Sequence, residues 1–568
     1  MQIGEILQIL INFLAGVAIF LFGIKIMSDG LEHVAENKMK SILSTLTKNK
    51  FMAVAVGALV TALIQSSTAT TVMTVGFVNA GLMTLSQAAG VIMGANIGTT
   101  VTSILIALDF TNVSSVMLFL GVFVYIFVKK DVVKHAGQAF AGFGMMFMGL
   151  GLMSTAMEPL RDISAFKDFM TSATNPFLLI LIGAVFSALI HSSAASIAIL
   201  TTLASSGLVD IKQALFILYG LNIGTVITAL FSALASKTNS KRTAIVHLLF
   251  NVFGTLLFVI ISFIPSSSGK GIYIDLLEMF TDNIVAQISA AHVIFNVGST
   301  ILLFPFSNLL IKLSCLIIKD KDDKENALSF EYYDERLLAT PAVAVAQIGR
   351  EVVRMASLSK KNFKIASESL INNDISSSEE ILEREQLINY LNHNITSSLV
   401  KINKLDLDAQ DAKYIGRLFR VVGDLERVGD HAVNILEAAE SRYNEKLKLP
   451  SAANQELINI KDCVLELLDG SIDAFSNQEL TVEEAVRLNT LEKCTDELKE
   501  QYTQNHIDRL NSQESETRAG IMFVNSLVDF ERVGDHATNI AWAVKNKPSG
   551  QVGIDESLAE KYIPLKGV

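Results

Sequence analysis

The chain has 568 residues, half of them apolar, and a formal net charge of −11. That acidic balance offers no basic face for nucleic acid, and three widely spaced cysteines argue against a disulfide framework or a zinc site. The averages hide two unlike parts: residues 1–318 are rich in Gly, Phe, Leu, Ile and Ala, whereas residues 320–568 are highly charged with amphipathic helical patterning.

A first membrane span is expected over about Leu7–Met27, in an apolar stretch too long for a cleavable signal peptide and preceded by no basic segment. A polar loop, Ser28–Lys50, follows. Next come Phe51–Ile64, the tetrad Gln65-Ser66-Ser67-Thr68, and Ala69–Val78. Each apolar arm has about 10–15 residues, short of the ~20 that cross a bilayer as a helix. The stretch therefore reads as a re-entrant hairpin with the tetrad at its tip. Leu85–Leu108, carrying Asn96 and Thr99, and Val113–Val128 are expected as full spans. The pattern then restarts. Gly137–Met157 is a span, and Phe177–Ser206 is a second broken hairpin with His191-Ser192-Ser193-Ala194 at its tip. Lys212–Ala235 is a span with Asn222 and Thr225. Ala244–Phe263 and Ile284–Ile311 bring the full spans to seven.

The restart is a duplication. At a constant offset of 126, Gly57, Ser66, Ser67, Gly81, Gln87, Gly94, Asn96, Gly98, Thr99 and Thr102 recur as the same residue types, as do Gly16, Gly23, Met27 and Ser28 upstream. Lys and Arg cluster at residues 38–50, 129–134, 237–242 and 312–321, which the positive-inside rule assigns to the cytoplasm. Arg161 and Lys167 run against this, beside Asp162 and Asp168. The N-terminus then lies outside and the charged C-terminal part inside. The first copy opens with an outside-to-inside span and the second with an inside-to-outside one, so the copies are inverted.

Hydroxyls within a hydrocarbon core must meet protein partners or a substrate. Two half-helices meeting at a break also free backbone N–H groups, and a helix N-terminus carries roughly +0.5 charge. Two such tips at mid-membrane suit an oxyanion without a buried arginine. Gln65, Asn96, Asn222 and nearby threonines supply hard oxygen donors for a small cation. Ser, Thr and Gly also occur where membrane helices merely pack closely; recurrence of the tetrad in an inverted copy favours a site. His247 with Asn251 and His292 with Asn296 form i, i+4 pairs in the last two spans and read as structural polar pairs.

On these motifs the first 315 residues or so resemble the bacterial type II sodium/phosphate cotransporter family, marked by a Gln-Ser-Ser-rich motif in each inverted repeat. The resemblance implies sodium-coupled movement of inorganic phosphate. Ser66, Ser67, Thr68, Ser192 and Ser193 are the expected phosphate contacts, and Gln65, Asn96, Thr99, His191, Asn222 and Thr225 the expected sodium-binding or supporting residues. His191 stands where the family has Gln, and Ala194 lacks a hydroxyl.

Residues 338–546 are helical in pattern and carry a second duplication, at an offset of 105. The eleven residues from Asp424 to Asn434 recur from Asp529 to Asn539, with Glu426/Asp430 and Glu531/Asp535 as i, i+4 acid pairs. Glu385 and Glu492 are candidate third acids from a preceding helix. Ion pairs to Arg427 and Arg532 on a solvated face would equally explain such acids. The block resembles the PhoU-like regulatory domain, which implies two three-helix bundles in tandem and a divalent metal at the acidic clusters, where carboxylates suit hard cations and a histidine widens the choice.

The fold expected is therefore all-α: a polytopic membrane domain, 1–318, with repeats at about 10–130 and 136–260, a linker over 319–337, a cytoplasmic helical domain over 338–546 and a tail over 547–568. No nucleophile elbow, P-loop or zinc-protease helix is present, so no enzyme is expected. The expected setting is a bacterial plasma (inner) membrane. The lipid bilayer, phosphate and sodium are expected partners, along with a second copy of the chain or a regulatory protein. The rival readings are a phosphate exporter, a carrier of another oxyanion, or a membrane phosphate receptor without net flux.

Overall fold

The computed structural model describes residues 3–44, 49–159, 175–234, 236–266, 268–319, 328–405, 407, 409–512, 516–548 and 552–562. Among these residues the chain is nearly all helix, and the one β-bridge pairs Glu479 with Asn546. It separates into two compact units, Met1–Lys321 and Asp322–Val568.

In the first unit α1 runs Ile3–Ser44, 42 residues. The loop expected from Ser28 onward is thus helix up to Ser44. Apolarity ends near Met27, but no proline follows and Gly30 continues the packing, with Ala139 N 2.6 Å from where its Cβ would be. The broken pair is α2 (Lys50–Ile64) and α3 (Ser67–Asn79), followed by α4 (Leu85–Ala107), α5 (Ser114–Phe127) and α6 (Asp131–Met157). The second copy has α7 (Pro176–Ile190), α8 (Ser193–Ser205), α9 (Ile211–Gly224) and α10 (Ile227–Ala233), then α11 (Thr238–Ser262). The unit ends with α12 (Ile272–Phe280), α13 (Ile284–Leu303) and α14 (Ser307–Ile317). The loop through Arg161 and Lys167 lies outside the described residues.

Among the described residues, six helical segments are long and apolar enough to cross a bilayer, against the seven spans expected: Leu7–Val34, Leu85–Ala107, Asp131–Met157, Ile211–Ala233, Thr238–Ser262 and Ile284–Leu303. The difference is α5, whose 14 residues rise only about 21 Å. The expected span Ile284–Ile311 is also cut, at Pro305, which cannot donate within a helix. Apolar side chains on α5 and α7, among them Phe119, Phe123, Phe177, Leu181 and Leu189, are exposed, as lipid-facing surfaces require.

Glycine governs how the copies meet. At the α1–α6 crossing, a Cβ on Gly23 would lie 2.8 Å from the Gly142 carbonyl oxygen, and one on Gly142 2.6 Å from that of Gly23. Gly16 and Gly149 approach the same way, at 3.0 and 2.8 Å. Positions rise along α1 as they fall along α6, so the two helices are antiparallel. By the repeat offset, Gly16 corresponds to Gly142 and Gly23 to Gly149. The two contacts are therefore repeat images of each other, exchanged as by a two-fold axis between them. The copies are inverted with respect to each other.

The second unit is α15 (Pro341–Asn372), α16 (Ser378–Ile402) and α17 (Ala409–Asn444), then α18 (Ser451–Asn477), α19 (Val482–Asn511) and α20 (Thr517–Ala541), with a short α21 (Glu556–Tyr562) on α19. Each half is a three-helix bundle with its apolar stripe inward, for example Leu418, Val421, Leu425 and Val428 on α17 and Phe523, Leu527, Phe530 and Val533 on α20, all fully buried.

Candidate functional site

Each broken pair turns on two residues. Gln65 takes the left-handed conformation at φ 56°, and His191 does so at the same φ. Each sends its backbone N–H to the carbonyl four residues earlier, Thr61 and Ser187, ending the first arm. The next residue, Ser66 or Ser192, is extended and caps the second arm. Its hydroxyl accepts from the Ala69 N–H at 3.1 Å or the Ala195 N–H at 3.3 Å. The first intrahelical N–H bonds are those of Thr70 and Ser196. The N–H groups of Ser67, Thr68, Ser193 and Ala194 therefore have no intrahelical acceptor, as at any helix start. Ser66, Ser67, Thr68, Ser192 and Ser193 are all half-buried.

Thr61 Oγ1 donates to Thr70 Oγ1 at 3.0 Å, tying the arms of the first break together, and Ser28 donates to the Ile64 carbonyl. The Gln65 side chain donates to the Ala62 carbonyl and accepts from Thr102 Oγ1 at 2.7 Å. In the second copy His191 is exposed. Thr228, the repeat mate of Thr102, donates instead to the Thr225 carbonyl at 3.1 Å. There the helix is interrupted between α9 and α10, whereas α4 is continuous. Thr61, Thr70 and Ser28 escaped the sequence reading, because a threonine on an apolar arm does not reveal what it faces.

The second arms reach across between the copies. α3 packs on α4 of its own copy and α10 of the other, while α8 packs on α9 of its own copy and α4 of the other. Within each copy the first arm meets its span backbone to backbone: a Cβ on Gly94 would lie 2.0 Å from the Val54 carbonyl oxygen, and one on Gly220 2.0 Å from that of Ile180. Asn96 and Asn222, both buried, donate to the carbonyls of Ile92 and Leu218 at 2.9 and 3.0 Å. Thr99 and Thr225 donate to Ala95 and Asn222. Asn251 and Asn296 likewise donate to His247 and His292, and His292 Nδ1 sits 2.6 Å from Ser103 Oγ. Each amide thus turns its carbonyl oxygen away from its own helix. Those of Asn251 and Asn296 are buried without a hydrogen-bond partner, the hard oxygen chemistry a small cation takes. A polar cavity of about 350 Å³, lined by Asp109, Thr201, Thr202, Ser205 and Asn283, opens beside the C-terminal end of α8. None of the serines chosen from sequence lines it.

In the second unit, the two repeated blocks meet each other. His431 Nδ1 lies 2.8 Å from Asp529 Oδ1, and His536 Nδ1 lies 2.9 Å from Asp424 Oδ1. Asn434 and Asn539 add bonds to the same two aspartates. The histidines therefore join the halves across their pseudo-two-fold rather than facing the acidic clusters. Of the arginine pairs considered from sequence, Arg532 reaches Glu531 and Asp535, at 3.7 and 3.3 Å.

In the second half, Asp496, Glu531 and Asp535 bring carboxylate oxygens within 4.8 Å of one another. The third acid of this tight group is Asp496 rather than Glu492, which lies one turn earlier on α19. Either can face α20, and helix rotation decides. Burial first, then the Asp535 and Glu531 charges, raises the Asp496 carboxyl. Burial, then Asp496 and Asp535, raises Glu492. Burial and Glu531 raise Asp535. In the first half, burial and then the charges of Asp430 and Glu426 push the Glu385 carboxyl up to about 7. Asn362 and Asn389 offset part of this, yet neither buried Glu385 oxygen receives a well-formed hydrogen bond. Gly429 makes room for it: a Cβ there would lie 2.7 Å from Glu385 Oε2. Burial and Asp430 raise Glu426 as well. Carboxylates crowded in this way fit a divalent cation, which would relieve their mutual repulsion.

Comparison with known proteins agrees with this division. The Na+/Pi-cotransporter family matches residues 19–155 and 160–264, and the PhoU domain matches residues 352–439 and 457–544. YjbB of Salmonella typhimurium, named as a provisional inorganic phosphate export protein, is 25% identical over 542 residues, 95% of this chain and 98% of that one. An uncharacterised Bacillus subtilis protein, YqeW, is 31% identical over 314 residues, covering 55% of this chain and 99% of that one. A Thermotoga maritima homologue of the phosphate-specific transport accessory protein PhoU is 26% identical over 191 residues, 34% of this chain and 81% of that one. The chain belongs to the Na+/Pi-cotransporter family and carries a PhoU domain at its C-terminal side.

Proposed function

We propose that the first unit moves inorganic phosphate with sodium by alternating access, and that the second unit regulates it. The observation that carries this is the matched pair of breaks: two left-handed residues at one φ, each followed by a serine-capped helix start with unbonded N–H groups. Such a start attracts an anion. Ser66, Ser67, Thr68, Ser192 and Ser193 are the proposed phosphate contacts. Gln65, Asn96, Thr99, His191, Asn222 and Thr225 are the proposed sodium ligands or supports. Glu426, Asp430 and Glu385, and Glu531, Asp535 and Asp496 with Glu492 beside it, are the proposed holders of a divalent metal. The proposed setting is a bacterial inner membrane, with the N-terminus outside and the PhoU domain in the cytoplasm.

Export is the second reading, favoured by the name that YjbB carries. Proteoliposomes loaded or bathed with radiolabelled phosphate separate the two. Sodium-driven uptake that stops when choline replaces sodium is the expected result. Efflux alone assigns export, equal flux in both salts removes sodium, and binding without flux leaves a receptor. Ser67→Ala and Ser193→Ala should each lower flux at least about tenfold, since a lost charge-assisted hydrogen bond is worth about 1.5–3 kcal/mol. Unchanged flux in folded variants would remove the site.

A further inference from the structure

Most arginines of the second unit have acidic partners: Arg336, Arg354, Arg384, Arg509 and Arg532 all form ion pairs. Arg417, Arg420 and Arg427 form none among the described residues. All three line one cleft of about 610 Å³ between α17 and the end of α20, together with Trp542 and Lys547. Arg417 lies over the Tyr414 ring at 5.5 Å, and its Nε is buried without a partner. The one acid in the lining, Asp424, already accepts from His536 and Asn539. Four cations thus converge on a lining with one acid, although Arg427 also acts on Glu426 outside it, and Arg420 is among the causes that lower the Arg417 pKa, after burial.

The molecule contains its own control. The pseudo-two-fold mate of this cleft, about 700 Å³, keeps the same floor, with Asp529 and Asn434 for Asp424 and Asn539. Its rim differs. By the repeat offset, Met522 replaces Arg417, Asn525 replaces Arg420 and Glu437 replaces Trp542, and its one arginine, Arg518, is ion-paired with Glu445 at 3.0 Å. A purely structural role for the floor would leave both rims alike. Instead one rim has become cationic with an aromatic plane.

We propose that this cleft binds a multiply charged phosphate anion, a nucleoside triphosphate or a short polyphosphate chain, through Arg417, Arg420, Arg427 and Lys547. Guanidinium forks match phosphate oxygens in pairs. A ligand bearing a base also gains contact with Trp542.

Trp542 is the only tryptophan of the chain, so its emission reports the cleft directly. The full-length protein in nanodiscs is titrated with ATP and, separately, with tripolyphosphate, at fixed ionic strength and with magnesium in excess. A saturable change with at least one probe is expected. In R420A/R427A the affinity should fall at least about tenfold, as two charge-assisted bonds predict. R420K/R427K should bind more tightly than the alanine pair, and E437A in the opposite cleft should bind like the parent. A stronger response to ATP assigns the nucleotide, and equal responses assign the phosphate chain alone. No saturable response to either probe at about 5 mM, or undiminished affinity in a folded R420A/R427A protein, overturns the proposal.

Discussion

Gln65 and His191 hold the same left-handed backbone, but only Gln65 is built into its surroundings, through Thr102 and the Ala62 carbonyl. Gln65→Ala should therefore destabilise the membrane unit by about 1–2 kcal/mol, by leaving the hydroxyl of buried Thr102 unpaired. His191→Ala should cost much less. Thermal unfolding in detergent measures both. The break itself was legible to the residue, because the polar tetrads interrupt apolar arms; the roles of Thr61 and Thr102 were not, because they depend on what lies across the hairpin. Glu385 gives a pH prediction. Its folded carboxyl titrates near 7, above the ordinary 4.5, so the folded state holds an extra proton between those values. Its contribution is present below about pH 4.5 and lost as pH rises through 7. In chelator, Glu385→Gln should raise stability at pH 8 by about 2 kcal/mol and change little at pH 4.5. Manganese added to the parent should recover much of the same difference.

Helix α1 shows what apolar patterning reports and what it leaves out. The end of apolarity marks where lipid stops, whereas the helix persists to Ser44 because nothing breaks it and α6 still packs against it. Likewise α5 is apolar along its length yet short, since composition carries no measure of rise. The glycines are more informative. Their recurrence at the repeat offset marked the duplication, and the α1–α6 crossing explains why they are glycine. Gly23→Leu should separate α1 from α6 and abolish folded protein in detergent, a cost above about 3 kcal/mol. Gly81→Ala meets open space and only a left-handed backbone, φ +70°, so about 1 kcal/mol is expected. Yields of monodisperse protein on size-exclusion chromatography discriminate between them.

Two inverted copies and an appended helical unit were legible in sequence because polar and glycine positions repeat at fixed offsets. The reciprocal bonding of the PhoU-domain halves was not, since the motif looks identical whether its histidine faces a metal or the other half. Orientation rests on lysine and arginine placement and can be measured. In a Cys315→Ser background, Ser268→Cys should react with a membrane-impermeant maleimide on intact cells, and Lys446→Cys only after permeabilisation; the reverse pattern would invert the protein. His431 and Asp424 need groups that the ribosome adds only when α20 is made. The first three helices of the PhoU domain therefore emerge with their shared seam unclosed, and the half synthesised earlier waits on the later one. A chain truncated between them would leave His431 and Asp424 without the Asp529 and His536 partners that close the seam.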